Sequence, residues 1–83
     1  MKITILELNI LGSVKYNPKV LTENNIDGCT LDDVDRSCRK LLDYGFISSY
    51  RPMYADDKLF ACNIGKITKA GRNFTNQNNI ISD

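Results

Sequence analysis

Between Lys2 and Val14 the apolar positions are Ile3, Ile5, Leu6, Leu8, Ile10, Leu11 and Val14. Ile3, Leu6, Ile10 and Val14 follow one another at spacings of three, four and four, one face of a helix. Ile3 with Ile5, and Leu6 with Leu8 and Ile10, also alternate as a strand would. The length of the run and its end at Gly12-Ser13 predict a helix. Asn17-Pro18 predicts the start of a second, short helix, with Asn as N-cap and Pro at the first helical position, where its missing N–H costs nothing. Val20, Leu21 and Ile26 would be its apolar contacts, and Gly28 its end. The third helix has the clearest pattern. Thr30 heads it, Asp32 and Asp33 oppose the positive end of its dipole, and Leu31, Val34, Cys38, Leu41 and Leu42 form a buried stripe. Gly45 closes it as the left-handed residue after the cap.

After Gly45 the period shortens. Phe46 to Arg51 reads as a strand, Pro52 confines the next residues to a sheet edge or loop, and Ala55-Asp56-Asp57-Lys58 reads as a turn. Leu59 to Ile64 predicts the returning strand of a hairpin. Ile67 to Phe74 reads as a strand end and then a short helix capped by Thr68. From Thr75 onward the chain is polar and unpatterned.

Eighty-three residues, 42% apolar and 25% charged, fit one small globular domain. No apolar run is long enough to span a bilayer, and no signal-peptide pattern opens the chain, so a cytoplasmic protein without a membrane partner is expected. The chain has no histidine, which removes the commonest general base and metal ligand. Three cysteines, Cys29, Cys38 and Cys62, lack C-x-x-C spacing and predict reduced thiols, with Cys38 and Cys62 in the core. The adjacent carboxylates Asp32/Asp33 and Asp56/Asp57 are explained by a cap and a turn. No enzyme, cofactor or metal site is expected.

The run Leu41-Leu42-Asp43-Tyr44-Gly45-Phe46-Ile47 resembles the L-L-x-x-G-[FY]-I junction where the recognition helix of a winged helix-turn-helix domain enters its first wing strand. Ile67-Thr68-Lys69-Ala70-Gly71-Arg72-Asn73-Phe74 is similar to the I-T-x-x-G-x-x-[FY] segment after the second wing strand. With the Leu21–Gly28 stretch, the chain over roughly residues 3–76 resembles the small YjcQ-type proteins of Gram-positive bacteria and their prophages. That resemblance implies an α+β winged helix-turn-helix fold with three helices, a β-hairpin wing and a short C-terminal helix. It would cover residues 1–75, leaving 76–83 as a polar, disordered tail. The C-terminal helix of such proteins tends to run on, whereas here it meets Asn76-Gln77-Asn78-Asn79. The family carries no settled biochemical role, so the resemblance implies a fold, and a DNA-binding regulator or accessory factor of phage or mobile-element type is the expectation attached to that fold.

Charge qualifies this. The net charge is only +1, below what an independent nucleic-acid binder carries. From Val20 to Asp35 there are five acids and no base. Arg36, Arg39 and Lys40 then share one flank of the third helix, and Arg51 and Lys58 lie on the wing. These five are the expected contacts to double-stranded DNA; the plainer alternative is a solvated helix face. Asp32, Asp33 and Asp35 occupy the positions that enter the groove in helix-turn-helix docking, where carboxylates repel phosphates. The competing reading is a protein-interaction module whose acidic surface, Glu23, Asp27, Asp32 and Asp35, meets a basic protein partner. Self-association into a homodimer stays open.

Overall fold

A capping box starts the first helix, α1 (Ile5–Ser13). Thr4 Oγ1 accepts from the Glu7 N–H at 3.1 Å, and the Glu7 carboxylate accepts from the Thr4 N–H at 2.9 Å. The computed structural model describes residues 3–78. After α1 come a short strand β1 (Lys19–Leu21), a single 3₁₀ turn (Glu23–Asn25), helix α2 (Leu31–Asp43), strands β2 (Tyr50–Ala55) and β3 (Lys58–Ile64), and helix α3 (Lys69–Asn78). The three strands form one antiparallel sheet in the order β1-β3-β2. Among the described residues, no helix is long and apolar enough to cross a membrane.

The expected second helix is absent. Lys19, Val20 and Leu21 pair with Ile64, Asn63 and Cys62. Pairing there satisfies the backbone along the free edge of β3 and brings Leu21 against the core. Asn17-Pro18 leads from a bend at residues 15–17 into β1 instead, in keeping with the bias of a residue before proline away from helical backbone. What remains of the helix is the single turn at Glu23–Asn25, closed by Thr22, whose N–H donates to Asn25 Oδ1 at 3.0 Å.

Helix α2 follows its sequence pattern with one exception. Leu31, Val34, Cys38 and Leu41 are buried, but Leu42 is 39% exposed, and Ser37 takes the place beside the stripe. One residue past Leu41 the helix has turned by about 100°, which carries Leu42 off the core-facing side. The helix ends in a Schellman motif. Gly45 has a φ of +77°, its N–H donates to Leu42 O, and the Phe46 N–H donates to Leu41 O, both at 2.9 Å.

Phe46 to Ser49 is a connector rather than a strand start. Phe46 and Ile47 are both buried, which breaks the alternation a half-exposed strand needs. An isolated bridge between Ile47 and Ile67, with Ser48 N–H on Lys66 O at 2.9 Å, pins it to the end of the hairpin. Pro52 lies within β2, at the sheet edge as expected. Asp56 and Asp57 form a two-residue turn with φ of 51° and 63°, a conformation aspartate tolerates. Helix α3 is capped by Thr68, whose hydroxyl accepts from the Gly71 N–H at 3.1 Å, and it docks by stacking Phe74 on Phe46 at 4.8 Å. It runs on through Asn78, so residues 76–78 of the expected tail are helical; residues 79–83 lie outside the described ones.

All three cysteines are free, and Cys38 and Cys62 are fully enclosed. Burial, then the neighbouring Cys62 and Asp35, push the Cys38 thiol up to about 12, and burial pushes Cys62 up as well.

A first prediction contrasts two helical glycines. A Cβ on Gly71 would collide with the Phe46 carbonyl oxygen and stand 2.7 Å from Ile67 Cγ1, whereas one on Gly12 meets nothing within 4 Å. In denaturant titrations Gly12→Ala should raise stability by about 0.5–1 kcal/mol, and Gly71→Ala should lower it. Equal effects would show that α3 does not sit against Phe46. A second concerns thiols: an aromatic disulfide reagent should titrate only Cys29 quickly in the native chain and all three cysteines after unfolding. A reductant should leave the melting temperature unchanged.

Candidate interaction face at the head of helix α2

Reciprocal bonds build the head of α2. Thr30 Oγ1 accepts from the Asp33 N–H and Asp33 Oδ2 from the Thr30 N–H, each at 3.1 Å. The Thr30 N–H, then its hydroxyl, then the Arg36 guanidinium hold the Asp33 carboxyl below the usual carboxylate range. Asp33 is therefore a cap, and Arg36 is its ion-pair partner one turn on.

Asp35 has a different task. Its side chain is only 15% exposed and lies between α2 and the hairpin. The Tyr50 hydroxyl donates to Asp35 Oδ1 at 2.6 Å and stands 3.3 Å from Cys62 Sγ. Arg39 Nε donates to Asp35 Oδ2 at 3.0 Å. Burial and the donated bond to Asp35 raise the Tyr50 hydroxyl well above the ordinary tyrosine range, so it stays a proton donor. The hydrogen bond to Asp35, with its charge, likewise raises Arg39.

The five bases expected to meet DNA are thus placed differently from one another. Arg36 and Arg39 are each half of a pair along the helix. Lys40 stands in the last turn of α2, Arg51 pairs in register with Asn63, and Lys58 follows the hairpin turn. Arg51 and Lys58 are separated by four rows of the hairpin, about 13 Å.

The four acids of the alternative reading also divide. Glu23 and Asp32 line a groove of about 720 Å³ between the head of α2 and the hairpin tip. Asp27 instead lines a smaller cavity of about 220 Å³ beside Leu6, Ile26 and Cys29, and Asp35 is the bracket just described.

Across the groove from Glu23 and Asp32 stand Tyr54, Asp57, Lys58 and Phe60. Met53 pairs with Ala61 and Tyr54 with Leu59, so Phe60 is the extra residue of a β-bulge. A bulge re-aims the side chain it carries. Here Phe60 is left 46% exposed and Tyr54 55%. Asp57, Tyr54 and Phe60 escaped the sequence reading. Asp57 reads in the sequence as a turn residue, and no local signal marks a bulge, which exists only once two strands are in register. No family model matches the chain, and no curated protein and no solved structure matches it either.

Tyr50→Phe removes a part-buried donor from a carboxylate and should cost about 1.5–3 kcal/mol in chemical unfolding. Arg36→Ala, which breaks an exposed pair, should cost less than about 1 kcal/mol. The reverse ranking would mean that Asp35 does not hold the hairpin to α2.

Proposed function

We propose that this chain is a small binding domain of winged-helix layout whose groove takes a basic segment of a partner protein. The order helix, strand, turn, helix, hairpin, with strands arranged β1-β3-β2, supports that layout. The binding reading rests on one observation: the carboxylates Glu23, Asp32 and Asp57 line the same groove as the exposed rings of Tyr54 and Phe60, against a single base, Lys58. Acids attract a lysine or arginine side chain, and an aromatic face takes the cation and its apolar stem. The same carboxylates repel a phosphate backbone. A binding role is assigned rather than a reaction, because the chain has no histidine to serve as a general base, and Asp33 and Asp35 are engaged as cap and bracket.

A second reading, duplex DNA held by Arg36, Arg39, Lys40, Arg51 and Lys58, is favoured by a separate observation. Lys40, Arg51 and Lys58 form no ion pair among the described residues, and the Arg36–Asp33 pair is exposed. Such pairs are broken at a cost of about 0–1 kcal/mol.

Titrating a fluorescent lysine- and arginine-rich decapeptide and a labelled 20-base-pair duplex at ~50 mM salt separates them. On the protein-binding reading the peptide binds, and Asp32→Asn, Asp57→Asn and Phe60→Ala each weaken it about fivefold or more. Asparagine also tolerates the turn conformation at position 57, so the hairpin is kept. Peptide affinity indifferent to all three substitutions overturns the proposal. Duplex affinity lost on Arg36→Ala and Lys58→Ala, and strengthened by Asp32→Asn, would establish the DNA reading in its place.

A further inference from the structure

The excess positive charge of this chain lies at neither the α2 face nor the hairpin tip. It lies in two segments far apart in sequence. Residues 15–19 carry Lys15 and Lys19, residues 66–72 carry Lys66, Lys69 and Arg72, and neither segment contains an acid. Removing these five bases from a chain of net charge +1 leaves the remainder at −4.

The fold brings the two segments together. The Ile67 N–H donates to Val14 O at 3.0 Å, and Arg72 Nη2 donates to Lys15 O at 2.6 Å, across fifty-seven positions of sequence. Lys19 enters β1 opposite Ile64, two residues before Lys66. The end of α1, the entry to β1, the exit from β3 and the first turn of α3 therefore meet at one pole of the domain. The hairpin turn lies at the other end of β3. Lys15, Lys19, Lys66 and Lys69 are exposed there, and no ion pair among the described residues engages any of the five. The neighbouring foot of α2 adds one acid, Asp43, and one base, Lys40.

The pole also presents an aromatic ring. Tyr16 is 70% exposed, with Lys15 Nζ 5.6 Å from its centroid. Asn17 and Pro18, next in the chain, are exposed as well. Bases free of ion pairs beside an exposed aromatic ring, with Lys15 over one face, suit a nucleic-acid strand, whose phosphates take the cations while a base stacks on the other face. A membrane surface fits less well, since insertion needs several apolar side chains and Tyr16 is the one large ring on these two segments.

We infer that the pole formed by residues 15–19 and 66–72 is a nucleic-acid-binding surface, with Lys15, Lys19, Lys66, Lys69 and Arg72 on the backbone and Tyr16 stacking an unpaired base. The surface is separate from the groove at the head of α2, and the inference does not rest on the groove's occupant.

Fluorescence anisotropy of the full chain with a labelled single-stranded 20-mer and its duplex, each across ~50–200 mM salt, tests this. Wild type should bind both at low salt, the single strand more tightly. The double variant Lys66→Ser/Lys69→Ser should weaken binding at least tenfold and flatten the log–log salt slope by about one and a half units, the loss of two phosphate contacts. Tyr16→Ala should weaken the single strand about fivefold or more and the duplex by less than twofold. Arg36→Ala/Lys58→Ala, on the other face, should change neither by more than about twofold. Circular dichroism melts confirm that each variant is folded. Three results overturn the inference: no binding by wild type at ~50 mM salt, binding abolished by the α2 and hairpin substitutions but not by those at the pole, or affinity for phosphatidylserine vesicles with none for either nucleic acid.

Discussion

At the foot of α2 the chain reverses through Gly45 at a φ of +77°, and the placement of everything after it depends on that reversal. The turn hands the Phe46 N–H back to Leu41 O and drops Phe46 and Ile47 together into the core. The Phe46 carbonyl then accepts from the Thr68 N–H at 2.9 Å, and the Thr68 hydroxyl donates to Gly45 O. Gly71 lies against the same Phe46 carbonyl, so close that no larger residue fits without a shift. A side chain at position 45 would meet open space but force an L-residue into the left-handed region; one at position 71 would meet atoms. The two glycines thus serve opposite physical needs at one seam, which sets both the departure of the hairpin and the docking of α3.

A second constraint ties the hairpin back to α2. Asp35 would be an ordinary solvated acid were it not for Tyr50, fifteen positions later, whose hydroxyl reaches it beside the Cys62 thiol. Together with Arg39 these groups satisfy one another, and no buried side-chain nitrogen or oxygen among the described residues lacks a partner. The groove beside the bracket owes its two walls to this connection. One wall is the head of α2, and the other is the hairpin, which Asp35 and Tyr50 hold to that helix.

Charge in this domain is sorted by place rather than by total. A net charge of +1 conceals an acidic groove at the hairpin tip and a pole of five bases at the opposite end of β3. Between them, the arginines of α2 are matched to aspartates three and four residues earlier, the spacing at which helix side chains meet. On the reading proposed here, the two ends address ligands of opposite sign.

The sequence by itself determined what nearest neighbours along the chain decide. The Thr30–Asp33 cap, the reversal at Gly45, the Asp56-Asp57 turn and the Thr68 cap were legible because each is satisfied within about five residues, and the α2 stripe, all but Leu42, because its members recur at helical spacing. Only the tertiary structure decided the rest. Lys19–Leu21 is a strand because β3 offers a free edge, and nothing in residues 17–28 records that edge. Phe60 faces the groove because β2 and β3 pair with one residue to spare. Asp35 is a bracket, not a surface acid, because Tyr50 reaches it from another element. Lys15 and Arg72 share a surface because a guanidinium closes on a carbonyl across most of the chain. Each outcome depends on a partner distant in sequence, and local propensity carries no information about which distant segment will arrive.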